Sequence, residues 1–267
     1  MARDPLAERT VRRLTPAGAT VVQDRLVVEE PLEIRLGDEP VAVVMRTPGD
    51  DIALAVGFLF SEGILNDPDQ VLSVAYCTDV EAEAQGNIVR VLAEGADREA
   101  FEAARRDVYA SSSCGLCGKT TLDAVRLLAP PVTPISLSAA VVAGIPDALR
   151  AGQSLFDATG GLHAAGLFTR DGAARLIRED VGRHNACDKI LGSFALREEW
   201  PLGGHVLGLS GRASFEMVQK AAMAGIPAIV AVSAPSSLAV DYAAEAGMTL
   251  VGFAREGSMN VYCGAVG

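Results

Sequence analysis

The sequence predicts an α/β protein: a C-terminal part with a mostly parallel sheet covered by helices, and a smaller N-terminal α+β part. Three observations carry this. From residue 205 onward, apolar strand-like runs alternate with helix-like runs: HVLGLS, SFEMVQKAAMAG, AIVAVS, LAVDYAAEAG and TLVGFA. Strands that are apolar throughout and separated by helices belong to parallel sheets. Before residue 94, short alternating runs surround one apolar helix. Finally, the chain has 267 residues and is 49% hydrophobic, enough for one large domain or two small ones.

Each element has a local reason. VVQDRLVVEE and LEIRL alternate apolar with polar residues, and VAVVM is a continuous β-branched run, so 20–45 reads as strands. Thr47-Pro48-Gly49-Asp50 is a turn that opens a buried helix over 52–60. Residues 70–93 read as two strands around Gln85-Gly86-Asn87. Residues 94–110 are charged and poor in large apolar groups, and read as a connector. Leu122, Val125 and Leu128 have helical spacing over 119–129, and the prolines at 130, 131 and 134 end that helix. A helix over 138–149 is expected to break around Gly144 and Pro146. GLHAAGLF and ARLIRE flank the turn Thr169-Arg170-Asp171-Gly172, a hairpin. Residues 185–196 form a helix with Ile190, Leu191 and Phe194 on its apolar side, and Gly225 and Gly247 stand at expected helix C-caps. The expected division is an N-terminal domain over 1–110, a CxxC loop over 111–120 and a C-terminal domain over 121–267.

Charge and composition exclude whole classes. With 34 acidic against 23 basic side chains the net charge is −11. Such a surface repels phosphate backbones and anionic lipid, so nucleic-acid and membrane binding are not expected. No apolar run approaches the roughly 18 residues needed to span a bilayer. The start, MARDPLAERTVRR, has no apolar signal region, so a cytoplasmic protein is expected. Five cysteines, an odd number, in a reducing compartment do not predict a disulfide framework.

Three segments fall at the carboxyl ends of the predicted parallel strands, where open α/β sheets bind ligands. They are Ser210-Gly211-Arg212, Ser233-Ala234-Pro235-Ser236 and Phe253-Ala254-Arg255-Glu256-Gly257-Ser258. Two lead into helices, whose free N–H groups favour anions, and Arg212 and Arg255 add bidentate phosphate donors. An anion or nucleotide cleft fits these residues; so do ordinary helix caps with surface arginines. No GxGxxG or GxxxxGK[ST] is present, which disfavours dinucleotide and P-loop folds. The segment EDVGRHNACDKILG packs Glu179, Asp180, Arg183, His184, Asn185, Cys187 and Asp188 around a loop-to-helix junction. These residues either orient a ligand or cap the helix and solvate its face. His163 reads as a satisfied core histidine.

Cys114 and Cys117, in SSSCGLCGK, are the sharpest local feature. Thiols at a helix start beside a lysine ionise more readily, and the thiolate is the form that attacks sulfur or binds metal. Half of a Cys₄ zinc site, a dithiol redox pair, a sulfur relay and two buried cysteines are all open. The absence of a second CxxC counts against zinc, and no metal site is predicted.

Taken together, MRTPGDDIALAVGFLFSEGI, SSSCGLCGK, GGLHAAGLF, REDVGRHNACDKILG, LSGRASFEMVQKAAMAGIPAIVAVSAPSSLAVDYA and TLVGFAREGSMNVY resemble the FdhD family of formate dehydrogenase accessory sulfurtransferases. The resemblance runs in family order from about residue 25 to the C-terminus. It implies a cytidine-deaminase-like three-layer C-terminal domain and a homodimer. It implies that sulfane sulfur is taken from an IscS-like cysteine desulfurase and given to Mo-bis(molybdopterin guanine dinucleotide), Mo-bis(MGD), for the formate dehydrogenase catalytic subunit. Cys114 matches the persulfide carrier and Cys117 its partner. Residues 253–258 match the cofactor-binding segment; Arg183, His184, Ser210, Gly211 and Arg212 are further candidate cofactor contacts from their place at the strand ends and the loop-to-helix junction, and GDP or GMP is the expected mimic of the cofactor's nucleotide. Deaminase chemistry is not implied. At His163-Ala164-Ala165 an alanine replaces the catalytic glutamate of the zinc deaminases, and Cys187 has no second cysteine at their spacing. A non-catalytic cofactor chaperone and a dithiol oxidoreductase are the competing functions.

Overall fold

The computed structural model describes residues 3–107, 129 and 131–267. Cys114, Cys117, the expected CxxC loop and, but for its last residue, the helix expected over 119–129 lie outside the described residues.

Strands β1 (Leu6–Thr15) and β2 (Gly18–Val27) form an antiparallel ribbon. Next come β3 (Glu30–Leu36), β4 (Glu39–Arg46), β5 (Val71–Tyr76) and β6 (Ile88–Ala93), a four-stranded sheet in the order β4-β3-β6-β5. Helix α1 (Asp51–Ser61) lies on it, and Leu54, Leu59 and Phe60 share a core with Leu32, Ile34, Val89 and Val91. The charged stretch taken for a connector contains a helix, α2 (Arg98–Asp107). Its start is capped by Asp97, whose Oδ1 accepts from the N–H groups of Glu99 (2.9 Å) and Ala100 (3.0 Å). Phe101 and Ala104, three apart, turn into the core and hold it there.

The second sheet has six strands in the order β12-β11-β10-β9-β7-β8. Its centre is the expected parallel run: β9 (His205–Leu209), β10 (Ala228–Ala231) and β11 (Thr249–Arg255). The flanks, β7 (His163–Thr169), β8 (Ala174–Asp180) and β12 (Ser258–Cys263), pair antiparallel, so the sheet as a whole is mixed. Short turns join β7 to β8 and β11 to β12, and a short turn admits only antiparallel pairing. Helices α5 (Arg183–Ala195), α6 (Phe215–Met223) and α7 (Ser237–Glu245) cover one face, with Ile190, Phe194, Val218 and Ala243 packed on Leu207, Ile229 and Leu250. Helix α3 (Ala139–Ala151) covers the other, with Val142, Ile145 and Leu149 packed on Phe168, Val206 and Val230. It is followed by the short α4 (Ser154–Thr159).

The break expected at Gly144 and Pro146 does not occur: α3 is continuous with Pro146 inside it. An interior proline costs about 3 kcal/mol. Three apolar side chains at helical spacing, each at most 1% exposed, offset that cost by burial.

Helices α1 and α5 join the two sheets. A Cβ on Gly57 would lie 1.9 Å from the Asp188 carbonyl oxygen, and one on Gly192 the same distance from the Ala53 oxygen. Only glycine permits the backbones to approach this closely.

Candidate functional site at the carboxyl ends of the strands

Topology brings the candidate segments to one edge. The ends of β9, β10 and β11 point the same way because these strands are parallel. Antiparallel β7 begins at that edge, where His163 pairs with Asp180 at the end of β8. Helices α5, α6 and α7 all start from there.

Backbone bonds stitch the segments together. The Ser210 N–H donates to the Ala164 oxygen (3.0 Å), and its hydroxyl accepts from the Ala164 N–H (2.8 Å). The Ser236 N–H donates to the Ala213 oxygen (3.1 Å), and Phe253 N–H to the Ser233 oxygen (3.2 Å). The segment 253–258 is not a simple loop after β11. It ends that strand, turns at Glu256-Gly257 and enters β12. Both turn residues have positive φ (53° and 73°), as a tight hairpin with right-handed twist requires. A bulge between Gly252 and Arg255 puts Phe253 at φ 52°, a costly position for a bulky side chain. Phe253 stays 37% exposed, and Arg255 lies over its ring at 6.0 Å. Gly252 allows the approach, since a Cβ there would meet Pro235 Cδ at 2.8 Å.

Charged groups converge beside these loops. His163 is half-buried, and a Cβ on Gly211 would sit 3.3 Å from its Nδ1. Burial first, then the charges of Arg183, His184 and Arg212, hold its pKa below the ordinary value. The His184 Nε2 pairs with Glu216 Oε2 at 2.8 Å. Burial pushes the Glu216 carboxyl up, but the bond from His184 and the charges of His184, Arg183 and Lys220 outweigh it and leave its pKa low. Ser214 is the N-cap of α6, yet its side chain makes no capping bond. Among the described residues, five buried side-chain atoms have no hydrogen-bond partner; Arg183 Nε, Ser214 Oγ and Glu216 Oε1 lie at this edge, and Arg90 Nε and Arg178 Nε lie elsewhere. Such atoms call for an explanation, because each costs about 1–3 kcal/mol.

The rest of EDVGRHNACDKILG has other work. Asp180 is fully buried; its oxygens accept from the Thr47 N–H (3.1 Å), the Gly182 N–H (2.8 Å) and Asn185 Nδ2 (2.9 Å), and pair with Lys189 Nζ at 2.7 Å. Asn185 also donates to the Met45 oxygen (2.7 Å), and Lys189 to the Thr47 oxygen (2.9 Å). Asp188 takes two bonds from Lys220 Nζ (3.0 Å each) and one from Ser61 (2.8 Å). Glu179 accepts from the N–H groups of Leu155 and Phe156 at the start of α4. Asp180, Asn185, Lys189 and Asp188 fasten the N-terminal part to the C-terminal one. Only Arg183 and His184 of the segment face the strand-end cluster.

A polar cleft of about 270 Å³ lies beside β8, lined by Gly49, Asp50, Ser154, Arg178 and Glu179 among others. Its charges are already matched: Arg178 Nε stands 3.0 Å from Asp50 Oδ2, and Glu179 holds the start of α4. It has less to offer a ligand than the strand ends. Of the remaining cysteines, Cys77 and Cys187 are buried and Cys263 is partly so. Burial, then the Asp188 carboxylate, pushes the Cys187 thiol up, so it is no nucleophile. Cys263 Sγ donates to the Met248 oxygen at 3.3 Å.

The structure therefore places Ser210, Gly211, Arg212, Arg183, His184 and residues 253–258 at one edge, while Cys114 and Cys117 lie outside the described residues. It adds His163, expected to be a satisfied core residue, together with Ser214 and Glu216, for which no local signal existed. Serine and glutamate at a helix start read as a routine cap; only their unpaired atoms set them apart.

The chain is 52% identical over 263 residues to the "Sulfur carrier protein FdhD" of Streptomyces coelicolor, covering 96% of this chain and 93% of that one. It is 55% identical over 265 residues to the protein of the same name from Nocardia farcinica, covering 97% and 93%. A crystal structure from Desulfotalea psychrophila, described as that of a formate dehydrogenase accessory protein, superposes with a TM-score of 0.75 at 25% identity, covering 98% of both chains. The profile of the FdhD/NarQ family matches residues 27–266, and the chain belongs to that family.

Proposed function

We propose that this chain is a sulfur carrier serving formate dehydrogenase in the cytoplasm. The reading is supported by relatives near 50% identity that bear the sulfur-carrier name over nearly their whole length. In this reading the Cys114 thiolate attacks the outer sulfur of a cysteine desulfurase persulfide. The desulfurase S–S bond breaks, its cysteine leaves as thiolate, and Cys114 holds the new persulfide. The outer sulfur is then given up to Mo-bis(MGD), which is substrate here: the Cys114 S–S bond breaks, Cys114 returns as a thiolate, and a thiol reductant supplies the two electrons that bring the sulfur to the sulfide level, before the formate dehydrogenase catalytic subunit receives the cofactor. The carrier acts as a homodimer.

The observation that carries the cofactor half is the strand-end cluster. A bis-guanine dinucleotide is large and anionic. Arg212, Arg255 and Arg183 are cations at the edge where this fold binds ligands, and the Phe253 ring beside Arg255 is open to stack on a base. Unpaired Arg183 Nε is a donor and Glu216 Oε1 an acceptor, matching a ligand with both phosphate oxygens and base N–H groups. The deaminase proton shuttle is absent at Ala165, so the fold is put to a different use.

Two measurements test the reading. After incubation with a cysteine desulfurase and cysteine, the Cys114 peptide is expected to gain about 32 Da, one sulfur atom. Cys114→Ala is expected to abolish formate dehydrogenase activation. Full activation by that variant would leave only a cofactor chaperone. Reversible insulin reduction through Cys114 and Cys117, with no sulfur adduct, would make the chain a dithiol oxidoreductase.

A further inference from the structure

The β1–β2 ribbon has no part in the site. It pairs two ten-residue strands, none of whose residues is buried. A two-stranded ribbon by itself is marginal in water and needs something to cover it. Its base is fixed by the Val28 N–H, which donates to the Pro5 oxygen at 2.8 Å. At about 3.3 Å per residue the ribbon reaches roughly 33 Å from there. Leu14 pairs with Ala19 and Arg12 with Val21, so Leu14 and Val21 are diagonal neighbours on one face. They are 69% and 73% exposed, the largest exposures among the big apolar residues. Arg9, Arg12, Arg13 and Arg25 outnumber Glu8 and Asp24 on the ribbon, in a chain whose net charge is −11. The family profile begins at residue 27, where the ribbon ends.

We propose that this ribbon is a basic arm that docks on the acidic body of a second copy of the same chain. Charge complementarity selects that occupant: setting aside the ribbon's excess arginines, the body is more acidic than the whole. The body also supplies an apolar seat, with Val43 (49%) and Met45 (40%) exposed on β4, which among the described residues is an edge strand with one unpaired side. An arm and a seat on each copy make a contact that closes under two-fold symmetry. The arm covers the seat with Leu14 and Val21, and its arginines face the partner's carboxylates. This rests on the homodimer of the reading above and assigns the surface that makes it.

Sedimentation equilibrium of the full chain is the test. The wild type is expected to be dimeric at micromolar concentration, with dimerisation weakening as salt rises. Leu14→Asp with Val21→Asp is expected to raise the dimer dissociation constant about a hundredfold. Met45→Asp on the seat is expected to weaken it about tenfold, and Arg12→Glu with Arg25→Glu to weaken it and abolish the salt dependence. Circular dichroism of each variant checks folding, and the arginine pair, which is exposed, reads the same interface should the apolar pair misfold. A monomeric wild type overturns both the homodimer and the arm. A dimer that survives all the variants overturns the arm alone. So do variants that stay dimeric but lose binding to a purified cysteine desulfurase, which would give the ribbon to that partner.

Discussion

Two polar clusters lie close together in this protein and differ in one respect. In the seam between the sheets, Asp180, Asn185, Lys189, Asp188, Lys220 and Ser61 each have a protein partner. At the strand ends, a few residues away, Arg183, Ser214 and Glu216 each keep a buried atom with none. Polar groups that only hold a fold are fully bonded, since a lone one costs stability. Three unpaired atoms gathered at one edge mark it as the candidate site, whereas Arg90 Nε and Arg178 Nε are unpaired away from it. The same motif, EDVGRHNACDKILG, feeds both clusters, so residue type alone does not separate structure from function here.

The comparison can be broken by substitutions with opposite consequences. The largest effect is expected in the seam. Burial by itself would lower the Lys220 pKa, but the Asp188 and Glu62 carboxylates overcome it and raise it, so the lysine is held as a cation. Lys220→Met strands Asp188 and is expected to cost about 3–5 kcal/mol in urea unfolding. Gly57→Ala follows. Its methyl would meet a backbone oxygen that cannot swing away, and a loss of about 3 kcal/mol is expected, checked by the shift in melting temperature.

Substitutions at the strand ends should do the reverse. Arg212 is exposed, and Arg212→Ala is expected to change stability by no more than about 0.5 kcal/mol. Its GDP affinity by calorimetry is expected to fall about tenfold, near 1.4 kcal/mol. A stability loss without a binding loss would move Arg212 from the ligand side of the comparison to the structural side.

The smallest effect is a pH dependence at His163. Its pKa lies below 6.5 in the folded protein. Below about pH 6.5 the unfolded chain therefore binds more protons than the folded one, and stability is lost as pH falls through that window. A phosphate bound at the proposed site would raise the same pKa, so GDP binding there is expected to take up a proton. Affinity is expected to rise between about pH 7.5 and 6 in calorimetry, and the part of that rise owed to this group should vanish in His163→Asn.

Much of this was legible in the residues. The strands of the central sheet announce themselves because they are apolar throughout, and the hairpin at 169–172 because turn residues separate two alternating runs. β1 was hidden, since its sequence, LAERTVRRLT, has no apolar alternation and is a strand only through its pairing with β2. Helix α2 was hidden by its charge, although Asp97 followed by Phe101 and Ala104 is a cap and a face. Pro146 misled because its local cost is real, while the burial that offsets it comes from strands distant in sequence.

The sequence by itself determined the central parallel strands, the helices between them and which segments follow their ends, because periodicity and turn chemistry are local properties. The cysteine pair, too, is a matter of spacing. Tertiary structure alone decided which polar residues of one motif serve the seam and which serve the edge. It also drew His163, Ser214 and Glu216 into the candidate site, because hydrogen-bond satisfaction is settled between residues far apart in the chain and is invisible until they meet.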